Sequence, residues 1–576
     1  MKKFKFQEHY LILLIAILVI LSYVRIFFLN QVFSDDRHFL QSIYTSSSIA
    51  DFLKTSGLIE LRRVPQGVIL YSLLSLFKIT DHAFLILHLV SIATQIITPI
   101  FLYLLINRLF QNKLAAFITA ISLVIYPIDT TLAVFIILWY RFGLMLSIIS
   151  FYLSLRAIEG KTRWFYFTGA LFLSAISYYF LVETTIALEP ARLFMFGLIM
   201  YNKGLKTKEI IFKSFRFWLP FLFICIPIVL MKLIFKPYGI HSGFYTAHLS
   251  SLLNWKLHLK YLIMLFGGNW VYSLQKVKYL SVLTVILALS VLPLVYFFLK
   301  SKYFDKTGVM EINNFSQPFF KLRLLRLMRI DMIIMFGLIL LVPVFLIYEI
   351  FANTPLGTEY DSRHGCIMQF GNAIIIGGII CGIISKLIGS RNNSQKIAFI
   401  LAGALGLGVF FNNLNLDRYF ALWVQEKQFY GAFIQRFPAL PANSTFAFDI
   451  QTEIPLKDHP YAFYNVEYYL NLLYGKSKVP EDFREYKVPS LEWFFVDRFK
   501  IDNNRCSMLT YWGRDIYDGR KLTVVRWKPG EFLVNREILN RYPQVYYKNF
   551  ADKEPPVIPP VQDYPLRNKV ERFLVR

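Results

Sequence analysis

The chain has 576 residues, 56% of them hydrophobic and 17% aromatic, and a mean hydropathy of +0.47, which excludes an ordinary soluble protein. A formal net charge of +25 would suit nucleic acid, but the Lys and Arg residues cluster in short stretches between apolar runs. There they set membrane topology, and with no basic recognition module in sight no nucleic-acid partner is expected.

The basic amino terminus, Met1-Lys2-Lys3-Phe4-Lys5, precedes an apolar run that reaches Phe28 without a small-residue cleavage site. It is predicted to be a retained membrane helix over about 10–30, with its start inside and its far end outside. Asp35 and Asp36 then lie at the outer mouth. A polar, partly amphipathic helix is expected over 37–60, ending near Gly57 and lying along the membrane surface. The apolar run at 64–79 is short. If it does not cross, the basic loops Arg108/Lys113, Arg156/Lys161/Arg163, Lys203/Lys206/Lys208 and Lys386/Arg391/Lys396 all fall inside. So does the loop from Lys300 to Arg329. The charge rule therefore favours about eleven crossings, with 64–79 as a juxtamembrane or re-entrant element.

The expected fold is an all-α polytopic bundle of about 11–13 transmembrane helices over residues 1–414, with a small extracytoplasmic α/β domain over 415–576. Pro-rich punctuation, strand patterns at 444–448 and 521–527 and a helix-like stretch at 465–474 mark that domain. Four cysteines show neither a disulfide framework nor metal-ligand spacing.

On this topology the outer face gathers the residues that could carry chemistry. Asp35 and Asp36 can serve as a helix N-cap, or as a general base or metal ligand; Asp35 is slightly favoured as the base, since Asp36 is the more natural cap. Asp129 follows Pro127 in an outer turn between two long apolar runs, and Arg141 lies within the next membrane helix, where a guanidinium needs a cavity or a partner. Glu189 and Arg192 are spaced i,i+3 and can pair with each other. The stretch 237–278 interleaves His241, Lys256, Lys276 and other cations with Trp and Tyr, and its outer cations suit an anionic lipid headgroup. Its histidines lack zinc spacing. Arg363, at a helix entrance, and Arg62 and Arg63 can hold a phosphate through a planar fork, while Arg363 can equally pair with Glu359 or Asp361.

The layout resembles the GT-C superfamily of membrane glycosyltransferases that use polyprenyl-phosphate sugars, in particular the aminoarabinose transferases acting on lipid A and the protein O-mannosyltransferases. Asp35-Asp36 matches their acidic motif after the first helix, Asp129 resembles the second acidic position, and Ser362-Arg363-His364 resembles a Ser-Arg-Tyr segment before a late helix. Two departures bear on donor and acceptor identity. Arg62-Arg63-Val64-Pro65-Gln66 stands where the aminoarabinose group has Lys-Pro-Pro, and His364 where a Tyr is usual.

The resemblance implies a glycosyltransferase of the inner (plasma) membrane with its active site outside. A polyprenyl-phosphate-linked sugar is the donor, and a glycan, lipid or protein is the acceptor. Asp35 or Asp36, with Asp129, would serve catalysis; Arg363, Arg62, Arg63, Arg141, Lys256 and His241 would serve the donor phosphate. Some relatives hold a divalent cation, Mg or Mn, at the acidic motif, so Asp35 or Asp36 is the place for one if any is used. The competing classes are an O-antigen polymerase or ligase, a lipid or polysaccharide transporter, and a non-enzymatic scaffold. A transporter should show paired halves, and the sequence has no internal repeat.

Overall fold

The computed structural model describes residues 2–31, 33, 36–59, 64–126, 131–159, 162–180, 185–234, 255–299, 323–347, 365–387, 391–438, 445–450, 469–470, 473–474, 499–502, 505–510, 513–518 and 522–541. Among the described residues, eight helices are long and apolar enough to cross a membrane. This makes the chain a multi-pass membrane protein in which each span satisfies its own backbone.

Helix α1 (Lys2–Tyr23) tightens into a 3-10 turn at Val24–Phe28. Two short helices follow, α2 (Asp36–Thr45) and α3 (Ile49–Thr55), in place of one amphipathic helix. Ser48 caps α3 by accepting from Asp51 N at 3.2 Å, while Asp51 Oδ2 accepts from Ser47 N at 2.9 Å, so this serine cluster starts a new helix. Gly57, with φ +69°, ends the segment. The run at 64–79 forms α4 (Val64–Leu74) and α5 (Leu76–Ile79), broken at Ser75, and is too short to count among the eight.

The bundle continues with α6 (Ala83–Phe110), α7 (Lys113–Ile125), α8 (Leu138–Glu159), α9 (Arg163–Phe180), α10 (Glu189–Asn202), α11 (Thr207–Ile234), α12 (Trp255–Ile263), α13 (Asn269–Leu274), α14 (Val282–Leu299), α15 (Arg323–Ile347), α16 (Gly365–Leu387) and α17 (Arg391–Arg436). The apolar runs at 113–131, 164–182 and 184–202 become α7, α9 and α10, of 13, 18 and 14 residues, which are not among the eight. Helix α7 stops because Pro127 follows Tyr126, which is extended at ψ 117°. Helix α10 starts late because Pro190 sets its first turn. The stretch 237–278, expected as a loop, holds α12, a π-helical turn at Met264–Gly268 and α13.

The end of α7 is buried, and other helices meet its last carbonyls. Val124 O accepts from Tyr23 OH and Asn412 Nδ2, both at 2.9 Å. Gln369 Nε2 donates to Leu123 O and, at 3.2 Å, to Tyr126 O. Helices α15 and α16 cross at backbone contact: a Cβ on Gly371 would lie 2.7 Å from Gly337 O and 2.8 Å from Leu341 N. Small residues permit that approach.

Helix α17 has 46 residues, roughly 69 Å at about 1.5 Å per residue, more than twice a hydrocarbon core of about 30 Å. It runs unbroken through position 414, where the apolar pattern ends, and carries Phe429, Phe433 and Phe437 onto a small sheet. In that sheet β1 (Thr445–Ile450) pairs in parallel with β5 (Leu522–Lys528), which pairs antiparallel with β6 (Glu531–Val534). Phe433 packs on Phe446 at 5.4 Å, and Phe429 on Trp527 at 5.4 Å. A second, antiparallel sheet has the order β2 (Phe499–Asp502), β3 (Arg505–Thr510), β4 (Gly513–Asp518). Helix α18 (Arg536–Arg541) follows β6. The strands expected at 444–448 and 521–527 are thus β1 and β5, joined across a long stretch of sequence.

Candidate functional site

At one end of the bundle, polar and charged side chains are buried together. Asp36 opens α2 and is only 1% exposed. Its Oδ2 accepts from the backbone N–H of Phe135 at 2.7 Å, and its own N–H bonds Phe33 O at 3.2 Å. Asp36 is therefore a helix-opening residue and also a carboxylate fixed in the interior, where a charge is retained only if it is held by hydrogen bonds or partners. Phe39, one turn later, packs edge-on against Trp139 at 6.5 Å, which seats α2 on the start of α8.

Arg141 is 2% exposed and donates from Nη2 to Thr131 Oγ1 at 3.2 Å. It faces the interior beside Thr131, away from lipid. Lys256 lies on α12 and is exposed. Asp35, Asp129, Arg62, Arg63, His241 and Arg363 lie outside the described residues. Glu189 and Arg192 do pair: Arg192 Nε reaches both carboxylate oxygens at 3.0 Å. Its other nitrogens donate to Ser150, Ser154 and Ser174, and its plane lies between the rings of Phe151 and Phe221. Tyr178 OH and Trp218 Nε1 complete the Glu189 carboxylate. That satisfied network joins α8, α9, α10 and α11 and has the character of structure.

The emergent part of α17 supplies residues that composition alone did not single out. Asp417 forms an ion pair with Arg25 from the turn after α1. Arg25 Nη1 also donates to Thr284 Oγ1 at 2.7 Å and Ser281 Oγ at 2.9 Å, while Asp417 Oδ2 accepts from Ser281 N and Thr284 Oγ1. The first helix, the start of α14 and α17 are thereby locked together.

One residue on, Arg418 is 5% exposed and reaches Tyr272 OH at 3.4 Å. Lys276 is 4% exposed; its ammonium donates to Asn415 Oδ1 at 2.7 Å and lies 4.8 Å from the Tyr272 ring centroid. Neither partner of Lys276 carries charge. Burial, and then the charge on Arg418, hold its ammonium well below the usual lysine range.

This cation pair and Asp36 are linked through packing. The Phe33 carbonyl accepts from Asp36 N–H, and the Phe33 ring meets Tyr419 edge-on at 4.9 Å; Tyr419 follows Arg418 in the chain. Gln31, on the same connecting stretch, donates from Nε2 to Glu426 Oε2, and both side chains are wholly buried. Among the described residues no group of three or more His, Cys, Asp or Glu side chains could hold a metal ion.

The fold and this end of the bundle define a polytopic membrane protein with a buried acid on its first connecting segment and a buried cation pair between the turn after α13 and its last long helix. No protein-family model, no curated protein and no solved structure matches the chain.

Proposed function

We propose that the chain is an integral membrane glycosyltransferase that moves a sugar from a polyprenyl-phosphate donor to a glycan, lipid or protein acceptor. It does so on the outer face of the inner (plasma) membrane, from a GT-C-like bundle of about 11–13 spans. The observation that carries this reading is the buried Lys276, whose only hydrogen bond among the described residues goes to an amide oxygen, set beside Arg418 at the bundle end that also buries Asp36. A desolvated ammonium of this kind is favoured by an anion set beside it, and the phosphate of a lipid-linked sugar has the charge for that.

In the reaction, the acceptor hydroxyl attacks the anomeric carbon and the bond from that carbon to the phosphate oxygen breaks. Its electron pair goes to the phosphate, and the hydroxyl proton goes to Asp35 or Asp36. A single displacement inverts the carbon. Lys276 and Arg418, with Arg363, Arg62 or Arg63, stabilise the departing phosphate, where most of the new charge develops. Asp129 serves catalysis and Arg141 the donor phosphate.

Separate replacement of Asp35, Asp36, Asp129 and Arg363 by Ala, in protein reconstituted into lipid, tests this reading. Mass spectrometry of envelope glycans with and without the gene names the sugar. If all four variants fold and leave that glycan unchanged, the protein is not this transferase.

A further inference from the structure

A second polar feature lies beside Asp36, on α6. His88 is wholly buried, and its Nε2 lies 2.7 Å from the carbonyl oxygen of Leu29. A carbonyl only accepts, so Nε2 carries the proton and Nδ1 is left as a lone pair. Among the described residues Nδ1 has no hydrogen-bond partner. Ser91 is also wholly buried, and its Oγ has none either. The i,i+3 spacing puts both on one face of α6.

The ring of His88 lies 5.1 Å from that of Phe135, whose N–H holds Asp36, and 6.4 Å from that of Phe84. One residue therefore separates the imidazole from the carboxylate. The Leu29 carbonyl ends the 3-10 turn and needs a donor, which an amide would supply as well as an imidazole. That need explains Nε2. It does not explain a buried Nδ1 and a buried hydroxyl one helical turn apart, each left without a bond at a cost of about 1–3 kcal/mol.

We propose that His88 Nδ1 and Ser91 Oγ form a subsite for a sugar hydroxyl, which donates to Nδ1 and accepts from the serine. It rests on the transferase reading for the identity of its ligand. His88 then selects substrate through direct contact, next to Asp36, one of the two carboxylates that can take the proton, and its own proton stays on Nε2 throughout.

The discriminating variant is His88→Gln. Its amide places a donor where Nε2 was, so the bond to Leu29 is kept, while the acceptor at Nδ1 is lost. Ser91→Ala removes the other group and asks nothing of the fold. Full-length protein in lipid nanodiscs is titrated with undecaprenyl phosphate and with undecaprenyl phosphate carrying a hexose. In a second arm, the methyl glycoside of that hexose is added to protein already holding undecaprenyl phosphate. The first arm reads a donor-sugar hydroxyl and the second an acceptor hydroxyl.

In one arm or the other, the sugar should strengthen binding about tenfold, and His88→Gln and Ser91→Ala should abolish most of that gain. Both variants should melt no lower than wild type and keep the affinity for undecaprenyl phosphate. A gain that survives both substitutions overturns the subsite and leaves the transferase standing. No gain in either arm, with undecaprenyl phosphate still bound, means that the two groups hold a resident water only and overturns the subsite as well. Wild-type protein that binds none of these lipids overturns the transferase reading and the subsite with it.

Discussion

Replacing Lys276 by Met keeps an unbranched chain over the Tyr272 ring and removes the charge. In the ligand-free protein that ammonium is desolvated beside Arg418, with one hydrogen bond to Asn415 at 2.7 Å. Losing the bond costs about 1–2 kcal/mol, and removing a buried cation returns a few kcal/mol, so Lys276→Met should be at least as stable as the parent. With a lipid phosphate bound, the lost charge-assisted contact is worth about 1.5–3 kcal/mol, or about ten- to a hundredfold in affinity. The depressed lysine means that the folded chain binds fewer protons than the unfolded chain between that lowered value and the ordinary value near ~10.4. Stability of the wild type relative to Lys276→Met therefore rises with pH across that window. A bound phosphate draws the proton back, so wild-type affinity for undecaprenyl phosphate falls as pH rises, and the variant loses this slope. Thermal unfolding and lipid binding in nanodiscs over a pH series measure both. A variant that binds undecaprenyl phosphate as tightly as wild type, or that keeps the slope, would refute the assignment of Lys276 to the phosphate.

Asp36→Asn keeps an oxygen for the Phe135 N–H, so folding should survive while turnover falls about a hundredfold or more if this carboxylate takes the proton; glycan product per mole of folded protein is the measure. Asp417→Ala leaves Arg25 buried without its counter-charge and should cost about 3–5 kcal/mol, seen as a lower unfolding midpoint in detergent. Arg192→Met strands Glu189 among Tyr178 and Trp218 and should cost a similar ~3–5 kcal/mol, whereas Glu189→Gln with Arg192→Met together should cost clearly less than the sum in a double-mutant cycle. Gly371→Val drives two methyl groups into the backbone of α15 and should lower the yield of folded protein, with a penalty of about 1–3 kcal/mol or more.

Much of the site could be located from sequence, though not its membership. Asp36 and Arg141 drew notice because an acid just past a first span and a guanidinium inside one are costly wherever they are unsupported, and both are buried. Glu189 and Arg192 pair as their spacing predicts, since i,i+3 contact is set by the helix alone. Lys256 and Lys276 looked alike in an aromatic, cationic stretch, and only packing separates the exposed one from the buried one. Arg418, Glu426 and Asp417 fell beyond the last apolar run, where charge looks like ordinary solvated surface. A signal was present: Asn412, Asn413, Asn415, Asp417 and Arg418 form an unusually polar continuation of an apolar helix. Reading it required knowing that the helix does not stop at 414.

Hydrophobic run length and the placement of Lys and Arg are local quantities, set by the energy of moving each side chain from water to hydrocarbon. They were enough to establish a multi-pass membrane protein, a first helix ending just before an acidic pair, and a tail of different character with strand patterns at 444–448 and 521–527, where the structure has strands at 445–450 and 522–528. Helix ends, the split of 37–60 at a serine cap and the ordered turns within 237–278 depended on hydrogen bonds that competing local patterns could equally have made. Which polar groups share one interior was decided by tertiary structure alone. Asp36 depends on Phe135, Arg25 on Asp417, Lys276 on Asn415 and His88 on Leu29, pairs drawn from distant parts of the chain. Burial strengthens each of these contacts and makes each unmet one expensive, and burial belongs to the assembled bundle.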